Sequence, residues 1–558
     1  MKSPTDSKGP GKDALYLLPL GGTGEIGMNL NLYGHDGAWM MVDLGITFAD
    51  HATPGVEVLM PDIGFIEARR DRLAGLVLTH AHEDHIGAVP YLWPYLECPI
   101  YATPFTADLV RRKLAEAGLA DRASVTEVPL SGAFTVGPFE IELITLTHSI
   151  PEPNAMVIHT PVGKVLHTGD WKLDPDPLVG DDYDSVRLQA LADEGVLAMV
   201  CDSTNALVEG ETRSELEVRD SLMDLVGGLK NRVAVACFAS NVARLETVMR
   251  VAAAHHRRVA LMGRSMHRIV DAARASGYLT DLPPLLQDQD VGYLPRDEVM
   301  LLCTGSQGEP RSALWRIAHR QHGQIGLDEG DTVIFSSRLI PGNEASIFAL
   351  QNALVAQGVE VLTSDDHFVH VSGHPGRGDL TQMYQWVRPR IAIPVHGEAR
   401  HLAAHAKLAA ACQVPEQVVA ANGDVIRLAP GPAAVVEQVE SGRLAFEGRR
   451  LLPLDSDVLK TRQRMSFNGA AMVTLVMDEE GALDGDPDVS LQGLIEETES
   501  EELDAVIEFV ADAVSRLPAK ERRDDAAVKE AARTALRRIC NKTFGKKPQT
   551  SVHLVRFE

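Results

Sequence analysis

Residues 73–78 are an apolar run that ends directly in Thr79-His80-Ala81-His82-Glu83-Asp84-His85. No other feature limits the fold as strongly. A buried strand has to deliver four metal donors, His80, His82, Asp84 and His85, at its C-terminal end, and the remaining chain has to be built around them. Imidazole and carboxylate are the donors that zinc and manganese favour. In H-x-H the two imidazoles lie on one side of a tight turn, and the following Asp-His pair can serve a second ion beside the first. A solvated polar loop is the alternative, and four such groups within six positions argue against it.

One motif cannot complete two metal sites, so further donors are expected at other strand ends. His148 follows the run 141–147, in Thr147-His148-Ser149-Ile150-Pro151, and Asp170 ends the next strand, in His167-Thr168-Gly169-Asp170. Taken singly, a His or Asp at a strand end is usually structural; their order after the first motif makes these two ligand candidates. Asp43, in Met41-Val42-Asp43-Leu44-Gly45, also ends a strand, and orienting a ligand histidine suits it better than a metal bond. Runs at 16–19, 39–42, 75–78, 140–146 and 164–167 predict the strands of this region. From about residue 190 the pattern changes. Apolar runs at 196–200, 232–237, 258–262, 299–303 and 332–336 alternate with helical periodicity such as 242–255, which predicts a parallel α/β sheet. A strand at 390–395 leads into an Ala-rich helix, 400–411. A charged stretch at 440–464 reads as a linker. After it come a strand at 471–477, an acidic stretch at 496–502 opening a helix to Arg516, a basic helix at 522–538 and a last strand at 551–557.

The chain has 558 residues, so about two to four domains are expected. Hydrophobic residues make up 45%, and no apolar stretch approaches the roughly 20 residues that cross a bilayer; no membrane association is expected. Residues 1–13 are polar and lack the apolar core of a signal peptide, so they read as a disordered tail on a cytoplasmic protein. Six scattered cysteines with no C-x-x-C pair fit buried thiols in a reducing compartment. The net charge of −25 argues against a generic nucleic-acid binder. Any nucleic-acid contact has to use local basic patches, a metal centre or shaped pockets.

In this order the motifs resemble the signature of the metallo-β-lactamase superfamily: H-x-H-x-D-H, a later His and a bridging Asp. The resemblance implies that His80, His82 and His148 hold one ion, that Asp84 and His85 hold the other, and that Asp170 bridges them. The second ion is then one histidine short. The best candidate is His396, which ends an apolar strand in Ile393-Pro394-Val395-His396-Gly397-Glu398. The strand–helix segment between Asp170 and His396 resembles the insert of the β-CASP nucleases. Asp202-Ser203-Thr204-Asn205, His370-Val371-Ser372-Gly373-His374 and Pro394-Val395-His396-Gly397-Glu398 resemble three motifs of those enzymes. Phe238-Ala239-Ser240-Asn241, Gly263-Arg264-Ser265-Met266, Thr304-Gly305-Ser306-Gln307-Gly308, Ser336-Ser337-Arg338 and the early Gly21-Gly22-Thr23-Gly24-Glu25-Ile26-Gly27-Met28-Asn29 narrow the likeness to the ribonuclease J family.

The fold so implied is α/β. It comprises a metallo-β-lactamase αββα sandwich (14–209 and 377–445), an inserted α/β β-CASP domain (210–376), a linker (446–464) and a small α+β C-terminal domain (465–558). The implied activity is that of a metal-dependent ribonuclease: a 5′-to-3′ exonuclease that prefers 5′-monophosphate ends and also cuts internally, in mRNA decay and 5′ maturation of ribosomal RNA. Two divalent ions per subunit are expected, zinc first, with manganese or magnesium also accepted by such donors. Single-stranded RNA is the expected partner, and the C-terminal domain is expected to support a homodimer or homotetramer. Asp84, His374 and Asp202 are the catalytic candidates, His374 as general acid. Asp202 orients or polarises a histidine, or else caps a strand end. Ser372 and Gly373, with Val371 beside them, are expected to form a phosphate pocket. His370 lines the channel or holds a loop; Ser240, Asn241 and Arg264 either meet RNA or serve as turn and cap residues. Superfamily hydrolases of small substrates have no use for so long an insert, a DNA-directed β-CASP nuclease fits the later motifs less well, and an inactive RNA-binding scaffold would lack ligands.

Overall fold

The computed structural model describes residues 9–49, 53–496 and 500–557. The first eight residues of the expected tail, and 497–499 of the acidic stretch, lie outside the described residues. Residues 9–13 make a turn in which Pro10 O accepts from Gly37 N (2.6 Å) and Gly11 O from Ala14 N (3.2 Å). Two compact units are present. One ends at Thr47 and resumes over Met60–Gly442; the other is formed by Phe48–Leu59 and Arg443–Glu558.

The first unit contains an eight-stranded and a seven-stranded sheet. Leu15–Gly21 is buried along its whole length, the mark of a strand covered on both faces. Leu17, Tyr33, Met40, Val42 and Val77 of one sheet meet Ile141, Met156, Ile158, Val165, Val200 and Ile393 of the other. On the far face of the seven-stranded sheet, Ile144, Val157 and Met199 pack with the helices Ser185–Glu194, Arg377–Val387 and Ala399–Ala411 through Leu188, Met383, Tyr384 and Leu408.

Strand direction is what positions the site. Gly163–His167, Ala198–Asp202 and Ile391–Val395 pair in parallel, with His167 opposite Val200 and Asp202 opposite Val395. The three strands therefore end together and deliver Asp170, Asp202 and His396 to one edge. In the other sheet Ala38–Val42 pairs in parallel with Leu73–Val77, Val42 opposite Val77, so Asp43 emerges beside Thr79. Crevices at the C-terminal ends of such strands are where α/β folds bind ligands.

The intervening chain makes a five-stranded parallel sheet in the order Arg258–Met262, Val299–Cys303, Val233–Ala236, Thr332–Phe335, Glu360–Leu362. Its separate core includes Ala234, Leu301, Leu314, Val333, Ile347 and Leu350. A two-sheet sandwich interrupted by an α/β insert is the fold class expected. The six thiols are free, and among the described residues no helix is long and apolar enough to cross a membrane.

In the second unit the stretch read as a linker is ordered. Arg443–Glu447 and Arg450–Pro453 form an antiparallel hairpin, and Asp457–Asn468 is a helix whose cap, Ser456, accepts from Leu459 N. The hairpin strands are too short for apolar alternation to stand out among charges. Arg462, whose guanidinium grips both Glu447 oxygens at 2.7 Å, supplies order that composition hides. Ala470–Asp478 then pairs antiparallel with Asp488–Gln492 and parallel with Gln549–Phe557. Helices Ser500–Ser515 and Asp525–Phe544 cover one face through Val506, Val510, Val528 and Leu536, an α+β arrangement.

Candidate metal centre

His80 and His82 leave the strand Leu73–Val77 on an extended loop, and the short helix Glu83–Ile86 carries Asp84 and His85. Donor atoms of His80, His82, His148 and Asp170 lie within 4.8 Å of one another, and so do those of Asp84, His85, Asp170 and His396. Asp170 belongs to both sets. Its Oδ2 is 3.2 Å from His85 Nε2, 3.8 Å from His80 Nε2 and 4.0 Å from His148 Nε2; its Oδ1 is 3.8 Å from His396 Nε2. His396 Nε2 also stands 3.1 Å from Asp84 Oδ2. The long interval between Asp170 and His396 is closed in space. A third set, Asp170, Asp202, His374 and His396, is dominated by the contact of His374 Nδ1 with Asp202 Oδ2 at 2.7 Å.

Partners on the outer side of each ring fix its proton. Asp43 Oδ2 accepts from His85 Nδ1 (2.7 Å) and Gly373 O from His148 Nδ1 (2.5 Å). Thr79 Oγ1 donates to Asp43 Oδ2 (2.9 Å) and so accepts from His80 Nδ1 (3.0 Å). Thr204 Oγ1 donates to His396 O (3.2 Å) and accepts from His396 Nδ1 (2.6 Å). Each of these four rings thereby turns Nε2 to the cluster. His80 Nε2 and His148 Nε2 both face His82 Nδ1, at 3.1 and 3.0 Å, where a proton on His82 could satisfy only one of them. Asp170 Oδ1 is buried and has no hydrogen-bond partner among the described residues. Converging imidazole lone pairs beside an unpaired carboxylate oxygen fit a cation, and the double donor set is compatible with a pair of them.

The electrostatics of the two halves differ. Burial holds His80 and His148 well below the usual histidine range and His82 at about 4, the neutral form a ligand requires. Burial also opposes charge on His85 and His396, but Asp170, with Asp43 and Asp84 at His85 and Asp202 and Asp84 at His396, outweighs it and raises both. Asp84 and Asp170, despite burial, are held below the carboxylate range by His85 and His396. The carboxylate-rich half therefore favours positive charge.

Asp43 joins neither set. Its carboxylate accepts from Thr79 N (2.8 Å), Thr79 Oγ1 and His85 Nδ1. Asp43 (φ +61°) and His396 (φ +50°) both hold the left-handed backbone region without being glycine, a strain of about 1–3 kcal/mol each that tertiary structure sustains at functional sites. Asp43→Ala should lower metal affinity and activity roughly 10–100-fold, with activity recovering as divalent metal is titrated in. Unchanged affinity would reduce Asp43 to a loop tie.

The loop 370–374 lies against this cluster. A Cβ on Gly373 would stand 2.6 Å from His148 Cε1, so only glycine allows the approach. Ser372 Oγ accepts from Asn205 Nδ2 (2.8 Å) and His374 N (3.2 Å), Thr212 Oγ1 donates to His374 O (2.8 Å), and Val371 is buried. Burial opposes charge on His374, but Asp202 and Asp170 outweigh it and its pKa is raised. Asp202, although buried, is held below the usual range by His374. His370 is half-buried; burial, with the positive charge of Arg244, Arg338 and Lys172, pushes it down to about 3. Asn241 caps the helix Val242–Ala254, its Oδ1 accepting from Arg244 N. Ser240 is half-buried, and Arg264 is exposed at the start of Arg264–Ala275; these three stand outside the donor sets.

Sequence reading passed over the residues that hold the donors. Besides Thr79 and Thr204, Asn29 Nδ2 donates to Asp84 O (3.1 Å) and lies 3.0 Å from His85 Nε2, and Tyr33 Oη meets His167 Nδ1 at 2.9 Å. Asn29 and Thr204 sit inside the glycine-rich and Asp202 motifs, and that was the available signal.

Comparison with known proteins bears on the same residues. The sequence profile described as the metallo-beta-lactamase superfamily matches residues 27–222, and that of the ribonuclease J beta-CASP domain matches 230–354. The Zn-dependent metallo-hydrolase RNA specificity domain matches 358–416 and the ribonuclease J C-terminal domain 457–557. Ribonuclease J of Sinorhizobium meliloti is 44% identical over 550 residues, covering 98% of both chains. Ribonuclease J of Mycolicibacterium smegmatis is 38% identical over 538 residues, 96% of each, and ribonuclease J 1 of Streptococcus pyogenes is 37% identical over 492, 87% of this chain and 88% of the relative. A solved structure of a protein of unknown function from Enterococcus faecalis superimposes with a TM-score of 0.53 at 15% identity, covering 74% of this chain and all of that one, a likeness of fold alone. With its paired donor sets, its inserted α/β domain and full-length identity to such relatives, the chain belongs to the ribonuclease J family and is a metal-dependent ribonuclease.

Proposed function

We propose that the chain degrades single-stranded RNA from its 5′ end, prefers a 5′-monophosphate, and also cuts internally. The observation that carries this is the packing of Gly373 on His148. It puts the Ser372–Gly373 segment beside the donor cluster, so a terminal phosphate seated there keeps the first phosphodiester at a fixed short reach. His80, His82 and His148 would hold one ion and Asp84, His85 and His396 the other, with Asp170 between; zinc suits these donors, and such a pair activates water and neutralises charge on the attacked phosphate. His374, kept protonated and oriented by Asp202, gives its proton to the leaving 3′-oxygen as the P–O bond breaks. The first nucleotide departs and the shortened RNA begins with a new 5′-phosphate, ready for the next cycle. Cytoplasmic mRNA decay and ribosomal RNA 5′ maturation by a homodimer or homotetramer go with family membership rather than with any feature of this geometry.

One RNA bearing a 5′-monophosphate, 5′-triphosphate or 5′-hydroxyl, labelled at each terminus in turn, tests the reading. Mononucleotides should appear first, and fastest from the monophosphate. Equal rates on all three ends would leave only an endonuclease.

A further inference from the structure

Four charged side chains that the mechanism does not use form a buried ladder beneath the pocket. Lys172, Asp174, Glu215 and Arg244 are each at most 1% exposed. Lys172 Nζ is 2.7 Å from Asp174 Oδ2, which also accepts from Glu215 N (3.0 Å). Glu215 Oε2 accepts from Arg244 Nη2 (3.0 Å). Arg244 Nη1 then donates to Val369 O (2.9 Å), Ser336 O (3.1 Å) and Ser336 Oγ (2.5 Å), while Ser336 Oγ donates to Val369 O at 2.7 Å. At the other end Lys172 N donates to Thr147 O (2.8 Å), next to His148. The ladder thus runs from Lys172, two residues beyond Asp170 and tied to Thr147 beside His148, to Val369, the residue just before His370.

Burying such charges is a poor way to gain stability. A buried pair often does no better than an apolar pair of the same volume, and here Arg244 Nε and Glu215 Oε1 find no hydrogen-bond partner among the described residues. What the arrangement does supply is position. The far end of the 370–374 loop is pinned by His148, Asp202, Asn205 and Thr212. Its near end hangs on Val369 O, where a planar guanidinium and Ser336 converge. Arg244 and Glu215 stand at the starts of the helices Val242–Ala254 and Glu215–Gly227, so these two helices set the near end of a loop whose far end is tied to the donor His148 and to Asp202.

We propose that Arg244, held by Glu215, is a positioning residue for 5′-end recognition: it fixes the near end of the 369–374 loop, and with it the enzyme's discrimination between 5′-phosphate and 5′-hydroxyl RNA. This rests on the 5′-end reading above. Removing only one partner strands a buried charge, so the deciding variant is the double Glu215→Leu/Arg244→Met, which replaces the pair with apolar side chains of similar volume. Arg244→Lys is its companion, keeping the charge but losing the fork that serves Glu215, Ser336 and Val369 together. Thermal unfolding and kcat and KM on 5′-phosphate and 5′-hydroxyl RNAs are measured for both and for wild type.

The expected result is a wild-type preference for the phosphate that falls tenfold or more in each folded variant, through KM on the phosphorylated RNA, with the 5′-hydroxyl rate within twofold of wild type. A parallel fall on both substrates, or a preference that survives in a folded variant, would overturn the role of Arg244 alone. A wild-type enzyme indifferent to the 5′ group would remove the 5′-end reading and this role with it.

Discussion

His82→Ala and Asp84→Ala should each reduce RNA hydrolysis by roughly 10³-fold or more while the protein stays folded. Loss of one electrostatic contact to developing charge typically costs about 10²–10³, and each of these side chains belongs to a different donor set, so each truncation loosens a whole ion. Neither is in the apolar core: both are partly exposed, so truncation opens no cavity of the kind that unfolds proteins. Metal content by mass spectrometry, melting temperature and single-turnover cleavage check the three parts separately. His374→Ala is the counterpart. It should keep the metal content and lose about 10²–10⁴ in RNA cleavage, the usual worth of a general acid, yet retain hydrolysis of bis(4-nitrophenyl) phosphate, whose phenolate leaves without a proton. Wild-type cleavage by His82→Ala and Asp84→Ala together would rule out the two-ion site, and an equal loss on both substrates in His374→Ala would remove its role as acid.

The donors were legible in the sequence for a physical reason. A parallel strand buried on both faces is an uninterrupted apolar run, and the residue that breaks the run is the one its C-terminal end exposes. His396 announces itself in this way, directly after Ile391–Val395, whereas Asp170 stands three residues beyond the end of Gly163–His167 and is marked by its order after the first motif. Strands that mix polar residues into the run carry no such mark: Leu30–His35 contains Asn31, Gly34 and His35, and Asn154–Thr160 ends in His159 and Thr160, yet both are sheet members. The residues that aim the donors were harder to read. Thr79, Thr204 and Asn29 act by hydrogen bonds to rings that lie beside them only after the sheets pair, and a lone Thr or Asn has no periodicity to betray it. The ordered hairpin and helix in place of a linker were hidden similarly, because an Arg–Glu pair 15 residues apart looks like solvated charge until the helix folds back on the strand. Asn241 shows how a motif can leave two roles open. Its motif allows either an RNA contact or a cap, and in the structure its side chain caps the helix Val242–Ala254.

Gly45→Ala should damage the site, although Gly45 donates nothing to it. Its backbone passes so close under the first motif that a Cβ would stand 1.6 Å from Asp84 O and 2.0 Å from Asp84 C. Those are backbone atoms, so no rotamer change relieves the clash. The surrounding hydrogen bonds leave little slack: Gly45 N donates to Asn29 O (3.0 Å), Leu44 N to His85 O (2.7 Å), and Asn29 N to Asp84 O (2.9 Å). Relief has to come from moving the 83–85 turn, which carries Asp84 and His85 away from Asp170 and His396. Overpacking of this kind costs about 1–3 kcal/mol or more, and the displacement should cut RNA hydrolysis by roughly 10²-fold, since a shift near 1 Å is enough for such a loss. The control is Gly323→Ala, where a Cβ meets nothing within 4 Å and neither melting temperature nor activity should change. Calorimetry, metal content and cleavage rate separate the two variants. A Gly45→Ala enzyme with full metal content and wild-type rate would mean that the first motif is not held rigidly by the Asp43–Gly45 segment, and that the donors gather by another route.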